Sequence, residues 1–219
     1  MNRKKTEIIV NGLIVVLVIT GLIIMFNFND EDNELVSHGI ANFKYYTVLS
    51  NVFCGIIAFS QFSFDVLSAL SSREFKDMGT RFKNVKLIST TAVGLTFSMI
   101  AFFLWPVYKL PGMYSGSNLF FHLFVPILAI IDFFLLGDGE KILFKYTVYA
   151  AVLTVFYGSF YLVNILINGV GEWPDTNDWY GYLNWGFPIG ILIFIVTTIV
   201  TWALACLLRW ISNIINSKI

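Results

Sequence analysis

The sequence predicts an all-α, polytopic integral membrane protein built as a bundle of six transmembrane helices. Three observations predict it. Of 219 residues, 57% are hydrophobic and only 13% charged, where a soluble domain carries about 25% charged. Mean hydropathy is +0.75. Six apolar stretches each reach the about 20 residues that a helix needs to cross a hydrocarbon core of about 30 Å. They are residues 8–26, 45–70, 87–105, 118–136, 142–167 and 183–208, which make one membrane domain of the whole chain, 1–219. Mid-bilayer has no water, so each stretch satisfies its backbone as a helix. Short connections favour an up-and-down bundle.

The first stretch follows Arg3, Lys4 and Lys5 and resembles a signal peptide in that respect. Its apolar core is longer than the usual h-region and no small-x-small cleavage site follows, so it is expected to be a retained span. The second carries Thr47, Asn51, Cys54, Ala58, Gln61 and Asp65. At 100° per residue these fall within about 40° of one line. Such a stripe suits either close helix packing or a wet, substrate-bearing cavity. The third follows the basic connection that ends at Lys86. The fourth places Asn118, His122, Val125, Ala129 and Asp132 on one face. Pro126 has no N–H for the carbonyl of His122, which suits either a kink that exposes a polar backbone group or an ordinary tolerated membrane proline. The fifth aligns Tyr157, Tyr161, Asn164 and Asn168. The sixth follows a segment with Trp173, Trp179, Tyr180 and Trp185, which with Trp105 and Tyr108 predicts an outer aromatic belt.

Charge sets orientation. Arg3, Lys4, Lys5, Arg73, Lys76, Arg81, Lys83, Lys86, Lys141, Lys145, Arg209 and Lys218 fall on one side; only Lys44 and Lys109 fall on the other. Both termini are therefore expected in the cytoplasm, and the loops with Asp30, Glu31, Asp32, Glu34, Glu172, Asp175 and Asp178 outside. The composition excludes a disordered chain, a coiled coil and a nucleic-acid partner that needs a basic face. Two cysteines, Cys54 and Cys206, make neither a disulfide framework nor a zinc site. They read as small apolar residues, and His38 has no special context.

Thr47 and His122 both enter from the outside and lie about 3–6 Å below the boundary. A threonine hydroxyl needs a base to become a nucleophile, and histidine, with an ordinary pKa of about 6.5, suits that task. Asn51, Asn118, a tyrosine hydroxyl or a loosened backbone N–H are candidate oxyanion donors, and Tyr157, Tyr161 and Asn164 extend the candidate substrate site. Asp132 lies about 15 Å along the axis from His122, too far for a direct third member of a triad. Asp65 and Asp132, near the cytoplasmic ends, are expected to pair with the basic second connection or to reach water.

The segment Phe43-Lys44-Tyr45-Tyr46-Thr47-Val48-Leu49-Ser50-Asn51 resembles the Lys-Tyr-x-Thr entry to the second span of the androgen-induced and androgen-dependent TFPI-regulating proteins. Asn118-Leu119-Phe120-Phe121-His122-Leu123-Phe124-Val125-Pro126 resembles that family's histidine segment, with its proline one turn on. The Thr-x-x-Ser-Asn pattern, and the spacing from His122 through Pro126 to Asp132, are closer to related bacterial six-span proteins. The resemblance covers the six-span layout. It implies an intramembrane threonine hydrolase acting on fatty acid esters of hydroxy fatty acids or related lipids, with Thr47 as nucleophile and His122 as base. It implies no metal or organic cofactor, membrane lipids as substrate and solvent, and residence in a bacterial cell membrane. The alternative expectation is a small-molecule transporter or channel lined by the second-span stripe.

Overall fold

The computed structural model describes residues 3–27, 39–71, 79–109, 111–135, 141–172 and 176–217. Asp30, Glu31, Asp32, Glu34, His38, Arg73, Lys76, Trp173, Asp175 and Lys218 lie outside the described residues, as does the side chain of Tyr108. Six helices are long and apolar enough to cross a membrane: α1 (Lys4–Asn27), α2 (Tyr46–Leu70), α3 (Arg81–Val107), α4 (Gly116–Phe134), α5 (Lys145–Asn168) and α6 (Phe187–Asn216). No strand occurs among the described residues. The sixth begins four residues later than the hydropathy suggests, because residues 183–186 form a turn that ends at Gly186.

The most buried of the six helices takes the centre. α3 packs against α2, α4, α5 and α6. It buries Ser89, Thr90, Thr91, Ala92 and Thr96. Small and hydroxyl residues let helices approach closely where lipid tails give no hydrophobic drive for association. The peripheral helices turn their bulky apolar residues outward instead. On α1 these are Ile9, Leu13, Val16, Ile19 and Ile23, at helical spacing. The opposite face of α1 inserts Ile14 and Val18 among Cys54, Ala58, Val93, Val125 and Ala129. Cys54 and Ala58 of the α2 stripe are thus helix packing; lower down, Gln61 donates to Asp65 at 2.8 Å.

The other end of the bundle contains a buried polar knot. Lys86 forms an ion pair with Asp132, and both side chains are withdrawn from solvent, 4% and 0% exposed. Asn11 closes the triangle: its Nδ2 donates to Asp132 Oδ1 at 3.0 Å and to the Glu7 carbonyl at 2.9 Å, and its Oδ1 accepts from Lys86 Nζ at 3.2 Å. Asp132 therefore pairs with a basic residue, as the sequence suggests, but does not reach water. Lys86 belongs to the helix and not to the connection, because α3 starts six residues earlier than its hydropathy indicates.

Candidate functional site

Two prolines shape the Thr47 end of the bundle. Before Pro106 and before Pro126 the helix widens into a π-turn, at Ile100–Leu104 and Phe120–Phe124. In the second turn the N–H of Val125 bonds to the carbonyl of Phe120, five residues back. The carbonyl of Phe121 would then await the N–H of residue 126, which proline lacks. Asn51 fills the vacancy: its Nδ2 donates to Phe121 O at 3.0 Å and to Thr47 O at 2.8 Å. The carbonyl rescued here belongs to Phe121, one residue before the His122 carbonyl that the sequence singles out. Gly21 of α1 allows the close approach at this level, since a Cβ there would meet the Phe121 ring at 2.6 Å.

These elements enclose a cavity of about 560 Å³. Thr47 and His122 both line it, together with Asn42, Asn118 and residues of both π-turns. Thr20, Thr91, Thr197 and Thr201 spend their hydroxyls on the carbonyl one turn back. Among the described residues the Thr47 hydroxyl makes no such bond; its own carbonyl accepts from Ser50 and Asn51. His122 is buried and its Nδ1 lies 2.6 Å from the carbonyl oxygen of Met113. A carbonyl only accepts, so Nδ1 carries the proton and Nε2 is the basic nitrogen of the neutral ring. Asn118 fixes the neighbouring residue through Nδ2 to Gly112 O at 2.9 Å. Both bonds hold the short turn Pro111–Tyr114 against the start of α4.

The candidate residues divide into two groups. Thr47, His122 and Asn118 face the cavity. Asn51 is fully buried, and its two amide hydrogens serve the backbone bridge. Tyr157, Tyr161 and Asn164 hold the cavity's roof, residues 176–184 between α5 and α6. Tyr157 donates to Lys44 O at 2.6 Å and accepts from Trp179 Nε1 at 3.1 Å. Tyr161 donates to Asp178, which also caps the N–H groups of Tyr182 and Leu183 at 2.9 Å. Asn164 donates to Asn177 at 3.1 Å. From the roof, Tyr180 reaches α2: its hydroxyl accepts the N–H of Tyr46 at 2.8 Å, beside Thr47, where the helix has no side-chain cap of its own. Burial raises the hydroxyl pKa of Tyr180 well above the ordinary value, and that of Tyr182 above it. Both remain protonated and able to donate.

Sequence reasoning missed two participants. The Met113 carbonyl is backbone and leaves no compositional signal. Asn42 lies in a short 3₁₀ helix, Gly39–Lys44, before α2, lines the cavity, and has its Nδ2 buried with no partner among the described residues. An unpaired buried amide is costly unless a ligand meets it, and its place five residues before Thr47 was the available clue. Among the described residues no group of three His, Cys, Asp or Glu could hold a metal ion. Compared with protein-family models, curated proteins and solved structures, the chain matches none.

Proposed function

We propose that this protein is an intramembrane acyl-ester hydrolase in which Thr47 is the nucleophile and His122 the general base. One observation carries the reading: an unspent threonine hydroxyl lines the same cavity as a histidine whose Nδ1 is anchored to the Met113 carbonyl. That anchor does the orienting work a carboxylate does in a hydrolytic triad. Thr47 Oγ attacks the ester carbonyl while His122 Nε2 takes its proton. The tetrahedral intermediate collapses, the C–O bond to the alcohol breaks, and His122 returns the proton to the departing alkoxide. Water, activated by the same nitrogen, then releases the acid and restores Thr47. Asn42 and Asn118 are the amide donors lining the cavity that suit the oxyanion.

The resemblance to the androgen-induced and androgen-dependent TFPI-regulating proteins supports the same assignment and adds lipid esters as substrates. The distribution of lysine and arginine supports cytoplasmic termini in a cell membrane, with the cavity on the outer side. The test is ester turnover by the purified protein against Thr47→Ala and His122→Ala. Both variants are expected to fold and to lose turnover, with a lower unfolding midpoint in His122→Ala because the Met113 carbonyl loses its partner; full turnover in either removes that residue from the mechanism.

A further inference from the structure

The charge of the cavity points to the polar group of its ligand. We propose that the cavity takes acyl lipids with an uncharged polar group, of which a glycerol monoester is the simplest, and discriminates against those carrying a phosphate or carboxylate. The proposal rests on the acyl-ester reading of the site and narrows its substrate class. It also separates the protein from esters that retain a free carboxylate, such as fatty acid esters of hydroxy fatty acids.

The described residues lining the cavity include no lysine and no arginine. Their one carboxylate, Asp178, is buried beneath the bonds it accepts from Tyr161, Tyr182 and Leu183. The polar side chains that remain besides Thr47 and His122 are mainly amides and hydroxyls: Asn42, Ser117, Asn118, Thr176 and Asn184. Such groups both donate and accept, which matches hydroxyls and esters. An anion placed among them surrenders its hydration without meeting a cation, beside the Asp178 carboxylate, and buried charge without a partner is strongly disfavoured.

The surroundings act in the same direction. The three connections at this end, residues 28–45, 108–115 and 169–186, contain seven acidic residues (Asp30, Glu31, Asp32, Glu34, Glu172, Asp175, Asp178) and two lysines. Neither lysine lines the cavity. Lys44 sits 5.5 Å from the ring centre of Tyr45 and 5.7 Å from that of Trp179, in cation–π contact with two residues of the wall. The acidic excess of these connections, read from the sequence, disfavours anions and leaves neutral lipids unaffected.

The experiment compares monooleoylglycerol with oleoyl lysophosphatidic acid, which share acyl chain and glycerol and differ in the phosphate. Dissociation constants are read from thermal-shift titrations of the full chain in neutral detergent. Monooleoylglycerol is expected to bind at least tenfold more tightly. Asn184→Lys, which adds a cation to the lining, is expected to narrow that ratio at least fivefold. Equal or tighter binding of the phosphate lipid, binding of neither, or an unchanged ratio in a folded Asn184→Lys overturns the proposal. Thr47→Ala is expected to keep the preference. A preserved preference with no ester turnover in the wild type would sink the hydrolase reading and leave the head-group selectivity standing.

Discussion

Asn51 of α2 and the carbonyl of Phe121 in α4 are joined by a 3.0 Å hydrogen bond that exists because Pro126 has no N–H to offer. The same amide holds Thr47 O at 2.8 Å, so one side chain ties together the backbones bearing Thr47 and, one residue from Phe121, His122. Asn51→Leu leaves the buried Phe121 carbonyl without its donor, while Thr47 O keeps the Ser50 hydroxyl. The expected cost is about 1–3 kcal/mol, seen as a lower midpoint in thermal unfolding in detergent, together with reduced ester turnover. An unchanged midpoint would show that the bridge contributes nothing.

Asn42 is expected to behave in the opposite manner. Its Nδ2 is buried without a partner among the described residues, so Asn42→Leu removes an unsatisfied donor and keeps or raises the unfolding midpoint. If that donor meets the oxyanion, kcat falls about 100-fold with KM little changed, the scale of losing one oxyanion donor. Steady-state kinetics beside thermal unfolding checks both halves. A lower midpoint with unchanged kcat would make Asn42 structural.

The Lys86–Asp132 pair is closed by Asn11 and shielded from water. Asp132→Leu strands a buried ammonium and is expected to cost about 3–5 kcal/mol. Lys86→Met combined with Asp132→Leu removes both charges and is expected to recover most of that loss. Unfolding of the two variants and the wild type in one detergent measures it. A double variant as unstable as the single one would argue that the pair itself, and not the stranded charge, supports the bundle.

Burial raises the pKa of Tyr180 and Tyr182 in the folded roof above their unfolded value of about 10. Their contribution to stability is therefore whole below about pH 10 and declines as pH rises past it, because the unfolded chain ionises first. Tyr180→Phe is expected to flatten part of that alkaline decline. At neutral pH it should cost less than about 1 kcal/mol, because the Tyr157 hydroxyl at 3.1 Å still accepts the Tyr46 N–H. Unfolding midpoints across an alkaline pH series provide the check, and an identical slope in the variant would contradict it.

Much of the fold was legible because apolar length is a strong signal: all six spans correspond to helices. Their ends were less so. Lys86 looked like a loop cation since hydropathy falls where a lysine sits, although a buried carboxylate on another helix can hold it inside. Asn11, one amide in an apolar run, gave no hint that it joins that pair. At the site, Thr47 and His122 could be placed at one depth by counting turns, and Pro126 marked a break. The form of the break, a π-turn whose orphan carbonyl is taken by Asn51, depends on a contact between residues seventy positions apart. Tyr157, Tyr161 and Asn164 share a helical face as expected. Whether that face meets substrate or roof depends on how residues 176–184 fold back, which periodicity does not encode.

The central claim is that the Thr47 hydroxyl is activated by His122. The measurement is covalent labelling of the purified wild type, Thr47→Ala and His122→Ala with a fluorophosphonate probe carrying an alkyl tail, mapped by mass spectrometry. The expected result is modification of Thr47 in the wild type and its loss in both variants. A folded wild type that admits the probe and remains unlabelled, or Thr47 labelled equally without His122, would contradict it.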